Sequence, residues 1–314
     1  MMKGYLNIVK IFVFSSSVFL FADLAPLPLS VEVDERKAQL GKKLFIDPIL
    51  SKDRSLACIS CHKLLDNGAD NVPYTEGISG QKGMFNAPTV YNAVYNFRQF
   101  WDGRAKNLKD QALMPITNDI EMGNTIEQVL KDLNADETYS HLFNEIYEDA
   151  ITQDNLADVI AEFEKTLITP NARFDQYLRG DKTALNSQEE RGYMLFQTKG
   201  CISCHNGIIL GGNLYNKFGI YVDAHSTELG RYNHTKNEED KYVFKVPTLR
   251  NIAITAPYMH DGRVKTLEGA VNIMTKYQLG RPMNSEDLKD LVAFLNTLTG
   301  ELPDIVKDIN VTHK

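Results

Sequence analysis

Apolar residues recur along this chain with the period of a helix. Leu156, Val159, Ile160, Phe163 and Leu167 fall at i, i+3, i+4, i+7 and i+11, which places them on one helical face. Ile126, Val129, Leu130 and Leu133 repeat the pattern after Asn124-Thr125-Ile126-Glu127, a candidate capping box. Ser187-x-x-Glu190 predicts a second helix start, with Gly200 as the stop, and Leu288, Leu291, Val292, Leu295 and Leu298 predict a last amphipathic helix. No run of useful length alternates at period two. The pattern predicts an all-α chain with long loops. A break at Thr169-Pro170-Asn171 predicts a division into residues 23–169 and 170–314.

The first residues carry a different pattern. Lys3 and Lys10 precede a mostly apolar run from Ile11 to Phe21, and Ala22 stands before Asp23. This predicts a secretory signal peptide over residues 1–22. The run is shorter than the roughly 20 residues a membrane span needs, and no later segment predicts a span in the mature protein. The expected location is the periplasm. Removing Lys3 and Lys10 from a net charge of −7 leaves −9, which argues against nucleic acid as a partner. A small basic electron carrier would suit an acidic surface, although acidity is common among soluble proteins.

The chemistry is concentrated in Cys58-Ile59-Ser60-Cys61-His62 and Cys201-Ile202-Ser203-Cys204-His205, which hold all four cysteines. At this spacing two thiols form thioethers to haem and the following His becomes an iron ligand. The competing readings are a zinc site, a thioredoxin-like redox pair or disulfides. Zinc motifs keep their cysteine pairs closer together than 139 residues, and a redox pair has no need of the adjacent His. Two covalently bound haem c groups are therefore expected.

The motifs belong to an internal duplication. Cys58 and Cys201 are 143 residues apart. Pro88-Thr89-Val90-Tyr91-Asn92 matches Pro247-Thr248-Leu249-Arg250-Asn251, and Asp102-Gly103-Arg104 matches Asp261-Gly262-Arg263, both at an offset of 159. Two related cytochrome c-like domains follow, the second with 16 extra residues before its Pro-Thr segment.

Together these stretches resemble the bacterial di-haem cytochrome c peroxidase family, whose relatives include the MauG-type enzymes. Leu40 to Phe45, Asn86-Ala87-Pro88-Thr89-Val90, Gln99 to Arg104, Val246 to Asn251 and Tyr258-Met259-His260-Asp261-Gly262 carry the resemblance, together with both haem motifs. It runs from about Leu40 to about Leu298 and implies a periplasmic enzyme. Such an enzyme reduces hydrogen peroxide to water with electrons from a small c-type cytochrome or similar carrier.

The resemblance also implies roles. The His62 haem would be the peroxide-reducing centre and the His205 haem the electron-entry centre, with Met274 as its second axial ligand. Met259 and Met283 are rivals by residue type. At the 159 offset Met274 corresponds to Pro115, which cannot ligate iron. Glu121 would be the acid–base residue and Gln111 a polar residue that orients peroxide. By residue type alone, Glu121 also reads as an ordinary acid before a helix. Trp101, the only tryptophan, would lie between the haems, where core packing is equally in keeping. His260 is its counterpart in the second half. Calcium is implied at Asn86 and the carbonyls of Thr255 and Pro257, a ligand set of oxygens. A homodimer is implied as well. His141, His225, His234 and His313 read as surface or loop residues.

The chain departs from the family at residue 78. Many members carry a distal His sixteen residues after the proximal one, and here that position is Ile78. The expectation is a first haem left open at rest, with Met84 the only obvious substitute ligand. Two other functions stay in view. A MauG-like oxidase acting on a protein would carry a Tyr where this chain has Met274. A non-catalytic electron carrier would not require Glu121, Gln111 or an open iron position.

Overall fold

The computed structural model describes residues 24–309 except His225; the predicted signal peptide, His225 and His313 lie outside the described residues. The architecture is helical, as the periodicity predicts, with helices joined by long loops. None of the described helices is long and apolar enough to cross a membrane.

Two helix pairs organise the molecule. Helix Glu35–Ile46 crosses helix Gln153–Thr166, and helix Ser187–Thr198 crosses helix Ser285–Asn296. Each crossing is set by a glycine. A Cβ on Gly41 would lie 1.9 Å from the Val159 carbonyl oxygen, and one on Gly192 would lie 2.0 Å from that of Asp290. Backbones this close leave no room for a side chain. Phe163 and Phe294 flank the two contacts at equivalent places, and both are fully buried.

The helix starts sit one residue away from the sequence expectation. Thr125, not Asn124, caps helix Ile126–Ala135 by accepting from the Gln128 N–H. Asn186 caps helix Ser187–Thr198 and shares a reciprocal capping box with Glu189, which makes Ser187 the first helical residue. An Asn carboxamide caps as well as a hydroxyl, so both neighbouring residues were competent.

A two-stranded antiparallel sheet pairs Tyr215–Lys217 with Val243–Lys245. Strands of three residues are too short to show a period-two pattern. The sheet lies in the stretch where the second half carries its extra residues.

The chain ends cross over. Leu27, fully buried, donates its N–H to Asp175 Oδ1 at 3.0 Å, and the Leu27 carbonyl accepts from Arg179. The Ala25 carbonyl accepts from Arg250, whose guanidinium is 2.7 Å from Asp175 in an ion pair with no solvent exposure. The N-terminal segment is thus strapped to the second half. At the other end, Val306 and Ile309 pack into a cluster with Phe45, Leu64, Tyr91 and Phe163 of the first half, and Lys42 pairs with Asp308.

Candidate active site

Each Cys-x-x-Cys-His motif opens with a tight helical turn, Cys58–Cys61 and Cys201–Ser203. The His N–H closes it onto the first cysteine's carbonyl, at 3.0 Å in both motifs. His62 Nδ1 is 3.1 Å from the Gly68 carbonyl, and His205 Nδ1 is 3.2 Å from the Leu210 carbonyl. With Nδ1–H donating to a carbonyl, the tautomer is fixed and Nε2 offers its lone pair to a metal. Burial lowers the pKa of both rings, that of His205 to about 4, which favours the neutral imidazole, the form able to ligate a metal. Burial also pushes the thiols of Cys58 and Cys61 up to about 12 and that of Cys201 to about 11. The four cysteines are unpaired. Among the described residues, no three His, Cys, Asp or Glu side chains converge as a metal cluster would require.

Cys201, Cys204 and His205 line a long apolar cavity closed by Phe196, Val271, Leu291 and Leu295. Met274 lines it from helix Leu267–Tyr277, and the rival Met259 lines it too. Met283 packs at the edge of the hydrophobic cluster instead.

In the first half, Glu121 stands in a turn held by its own neighbours. Asn118 Nδ2 donates to Glu121 Oε1 at 2.7 Å, and the Glu121 N–H donates to the Asn118 carbonyl. Burial raises the Glu121 pKa, partly offset by the Asn118 hydrogen bond and the charge of Arg104. Its charge is felt at both Cys58 and Cys61. Gln111 is half-buried on helix Leu108–Ala112, and its carboxamide has no hydrogen-bond partner among the described residues. Ile78 is buried, and its N–H donates to the Glu121 carbonyl at 2.9 Å. Met84 is half-exposed.

The equivalent segments of the two halves meet at a local two-fold. The Asn86 N–H donates to the His260 carbonyl at 2.8 Å, and the Lys245 N–H donates to the Trp101 carbonyl at 2.8 Å. Asn86 and Lys245, like Trp101 and His260, are related by the 159 offset, so the same bond is made in both directions. Trp101 Nε1 donates to the Asn86 carbonyl at 2.9 Å. The Trp101 and His260 rings meet edge to face with centroids 6.4 Å apart, and Phe244 stacks on His260 at 4.3 Å. Asn86, Trp101, Thr255, Pro257 and His260 all line the cavity that contains the second haem motif. Asn86 Nδ2 is committed to the Val72 carbonyl, which leaves Oδ1 as the available acceptor. His141 is exposed and pairs with Glu145, and His234 is exposed as well.

Two residues escaped the sequence reading. Glu164 is fully enclosed, its Oε2 has no partner, and burial pushes its pKa up to about 8; its charge acts on Cys58. Lys245 is also enclosed, and burial lowers its pKa to about 8. A signal for Glu164 existed: Phe163-Glu164-Lys165-Thr166-Leu167 aligns with Phe294-Leu295-Asn296-Thr297-Leu298 at an offset of 131, which sets Glu164 against Leu295. A weakly partnered ammonium in the wall of an apolar cavity, as at Lys245, fits a buried group that carries both a ring and carboxylates, as haem does.

Two Cys-x-x-Cys-His motifs on a duplicated helical fold are the make-up of a di-haem c-type cytochrome. Residues 35–183 match the family model for di-haem cytochrome c peroxidase, and residues 189–299 match the cytochrome c model. The chain is 48% identical to a cytochrome c551 peroxidase of Nitrosomonas europaea, over 85% of this chain and 81% of that protein. It is 44% identical to a cytochrome c peroxidase of Escherichia coli over 90% of this chain, which spans only 62% of that relative. Among solved structures, a MauG-like protein associated with microbial copper homeostasis superposes with a TM-score of 0.78 at 26% identity, covering 92% of this chain and 96% of that one. The chain belongs to the di-haem cytochrome c peroxidase family, as the sequence motifs implied, and its cofactors are two haem c groups.

Proposed function

We propose that this chain reduces hydrogen peroxide to two waters, consuming two protons and two electrons, with the electrons arriving singly from a small c-type cytochrome or similar carrier. Haem iron, when bound, supplies the redox chemistry. The protein's part is to admit peroxide, move its protons and conduct charge between the halves. The observation that carries this reading is the Glu121 turn: a buried carboxyl with a raised pKa, fixed by Asn118, whose charge is felt at Cys58 and Cys61. Such a group can take a proton from one peroxide oxygen and return it to the other. Gln111, without an internal partner, is free to hydrogen-bond peroxide.

His205 and Met274 would hold the second haem, whose thioether ligand favours a high potential and therefore electron entry. Trp101, bonded to Asn86 and packed on His260, would bridge the halves. Asn86, Thr255 and Pro257 would hold calcium. Periplasmic location after removal of residues 1–22, and a homodimer, complete the reading.

A MauG-like oxidase is favoured by one observation, Ile78 in place of a distal His, and opposed by Met274 in place of Tyr. The test is peroxide-dependent oxidation of a reduced small cytochrome c, started from fully oxidised enzyme. Turnover without a lag is expected. No turnover with several donors would overturn the peroxidase reading.

A further inference from the structure

Lys245 is the one enclosed ammonium in the wall of the second haem cavity. Its side chain lines that cavity together with Cys201, Cys204, His205 and Met274, and Lys245 as a whole is 7% exposed. Among the described residues, the only polar contact of its ammonium is Asn96 Oδ1, at the long limit of 3.5 Å, and no carboxylate forms an ion pair with it. A buried charge is tolerated only when it is paired, so its partner must come from outside the polypeptide. The first half sharpens the point. Asn86 occupies the equivalent place and makes the equivalent backbone bond to the opposite half, yet it carries a neutral carboxamide. The ammonium is therefore specific to the second half.

We propose that Lys245 is a haem-binding residue, its ammonium pairing with a propionate of the haem held by His205. Cys201, Cys204 and His205 share the cavity wall with Lys245, whereas Cys58, Cys61 and His62 do not line it, which assigns the pair to the second haem. A cation held there favours the more negatively charged, reduced haem and so raises the potential of the electron-entry centre. The inference rests on His205 holding the second haem, and haem content is measured separately so that the two can fail independently.

The experiment uses the full chain with both haems attached. Lys245→Met and Lys245→Gln are compared with wild type and with Lys245→Arg. Haem content is measured per chain, and each centre is titrated with redox mediators at its own absorption bands. In both neutral variants the His205 haem is expected to shift to lower potential. At fixed ambient potential its reduced-to-oxidised ratio should fall about tenfold, equivalent to 59 mV for one electron. Lys245→Arg should keep the wild-type value. Loss of the second haem from the neutral variants but not from Lys245→Arg would support the same pairing. An unchanged potential in loaded neutral variants would overturn it. So would a shift confined to the His62 haem, or loss of the second haem from Lys245→Arg as well.

Discussion

Asn92 and Asn251, equivalent residues of the two halves, donate to the same oxygen. Their Nδ2 atoms lie 2.8 and 2.9 Å from the hydroxyl of Thr169, and both adopt the same left-handed backbone, φ 62°. Thr169 is 2% exposed and sits on the local two-fold that relates the halves. Thr169→Val would leave two buried amide groups without an acceptor, at a cost of about 2–4 kcal/mol. Thr169→Ser, which keeps the hydroxyl, should cost about 1 kcal/mol. Urea unfolding of the haem-loaded variants would separate the two; equal losses would show that the shared oxygen contributes nothing special.

The Glu121 turn predicts the pH dependence of turnover. A base acts as its carboxylate, so kcat/KM should fall as pH falls through the raised Glu121 pKa. The hydrogen bond from Asn118 lowers that pKa. Asn118→Ala should therefore move the acid limb to higher pH, while Glu121→Gln should lower turnover about a hundredfold or more with both haem spectra intact. A limb that stays in place in Asn118→Ala would reject the assignment.

Ile78 predicts the resting state. With no His in that loop, the oxidised protein should show a high-spin ferric signal by electron paramagnetic resonance. Ile78→His should convert it to low-spin and introduce a lag into the peroxide assay. Two low-spin signals from the unaltered protein would sink the idea.

Gly41 and Gly192 predict matched failures. An added methyl at either would lie about 2 Å from a backbone oxygen across the helix crossing, so Gly41→Ala and Gly192→Ala should each destabilise by about 3 kcal/mol. Thermal unfolding of each variant measures the loss. A mild effect at one position alone would mean that the two crossings are not packed alike.

Much of this was legible in the chain. The family could be read because the Cys-x-x-Cys-His motif is a fixed pattern, and long helices announce themselves by period. The duplication could be read at Pro88 and Asp102 because loops with fixed turns conserve their spacing. Lys245 was not legible, because a lysine in a three-residue strand looks solvent-facing until the opposite half covers it. The caps at Thr125 and Asn186 were missed by one residue, since adjacent polar side chains compete for the same backbone donors. The role proposed for Glu121 came from resemblance alone, since nothing in its spacing distinguishes it from an exposed acid.

The crossed ends bear on the order in which the molecule can be completed. The seat for Ala25 and Leu27 is built by Asp175, Arg179 and Arg250, so it is begun about 150 residues downstream of its occupants and completed only at Arg250, 225 residues after Ala25. The seat for Val306 and Ile309 is built from Phe45 to Leu167, well over a hundred residues before its occupants. Each half is therefore finished by a segment that lies far from it along the chain. Once closed, a single nick between the halves would not release them, because each still holds an end of the other.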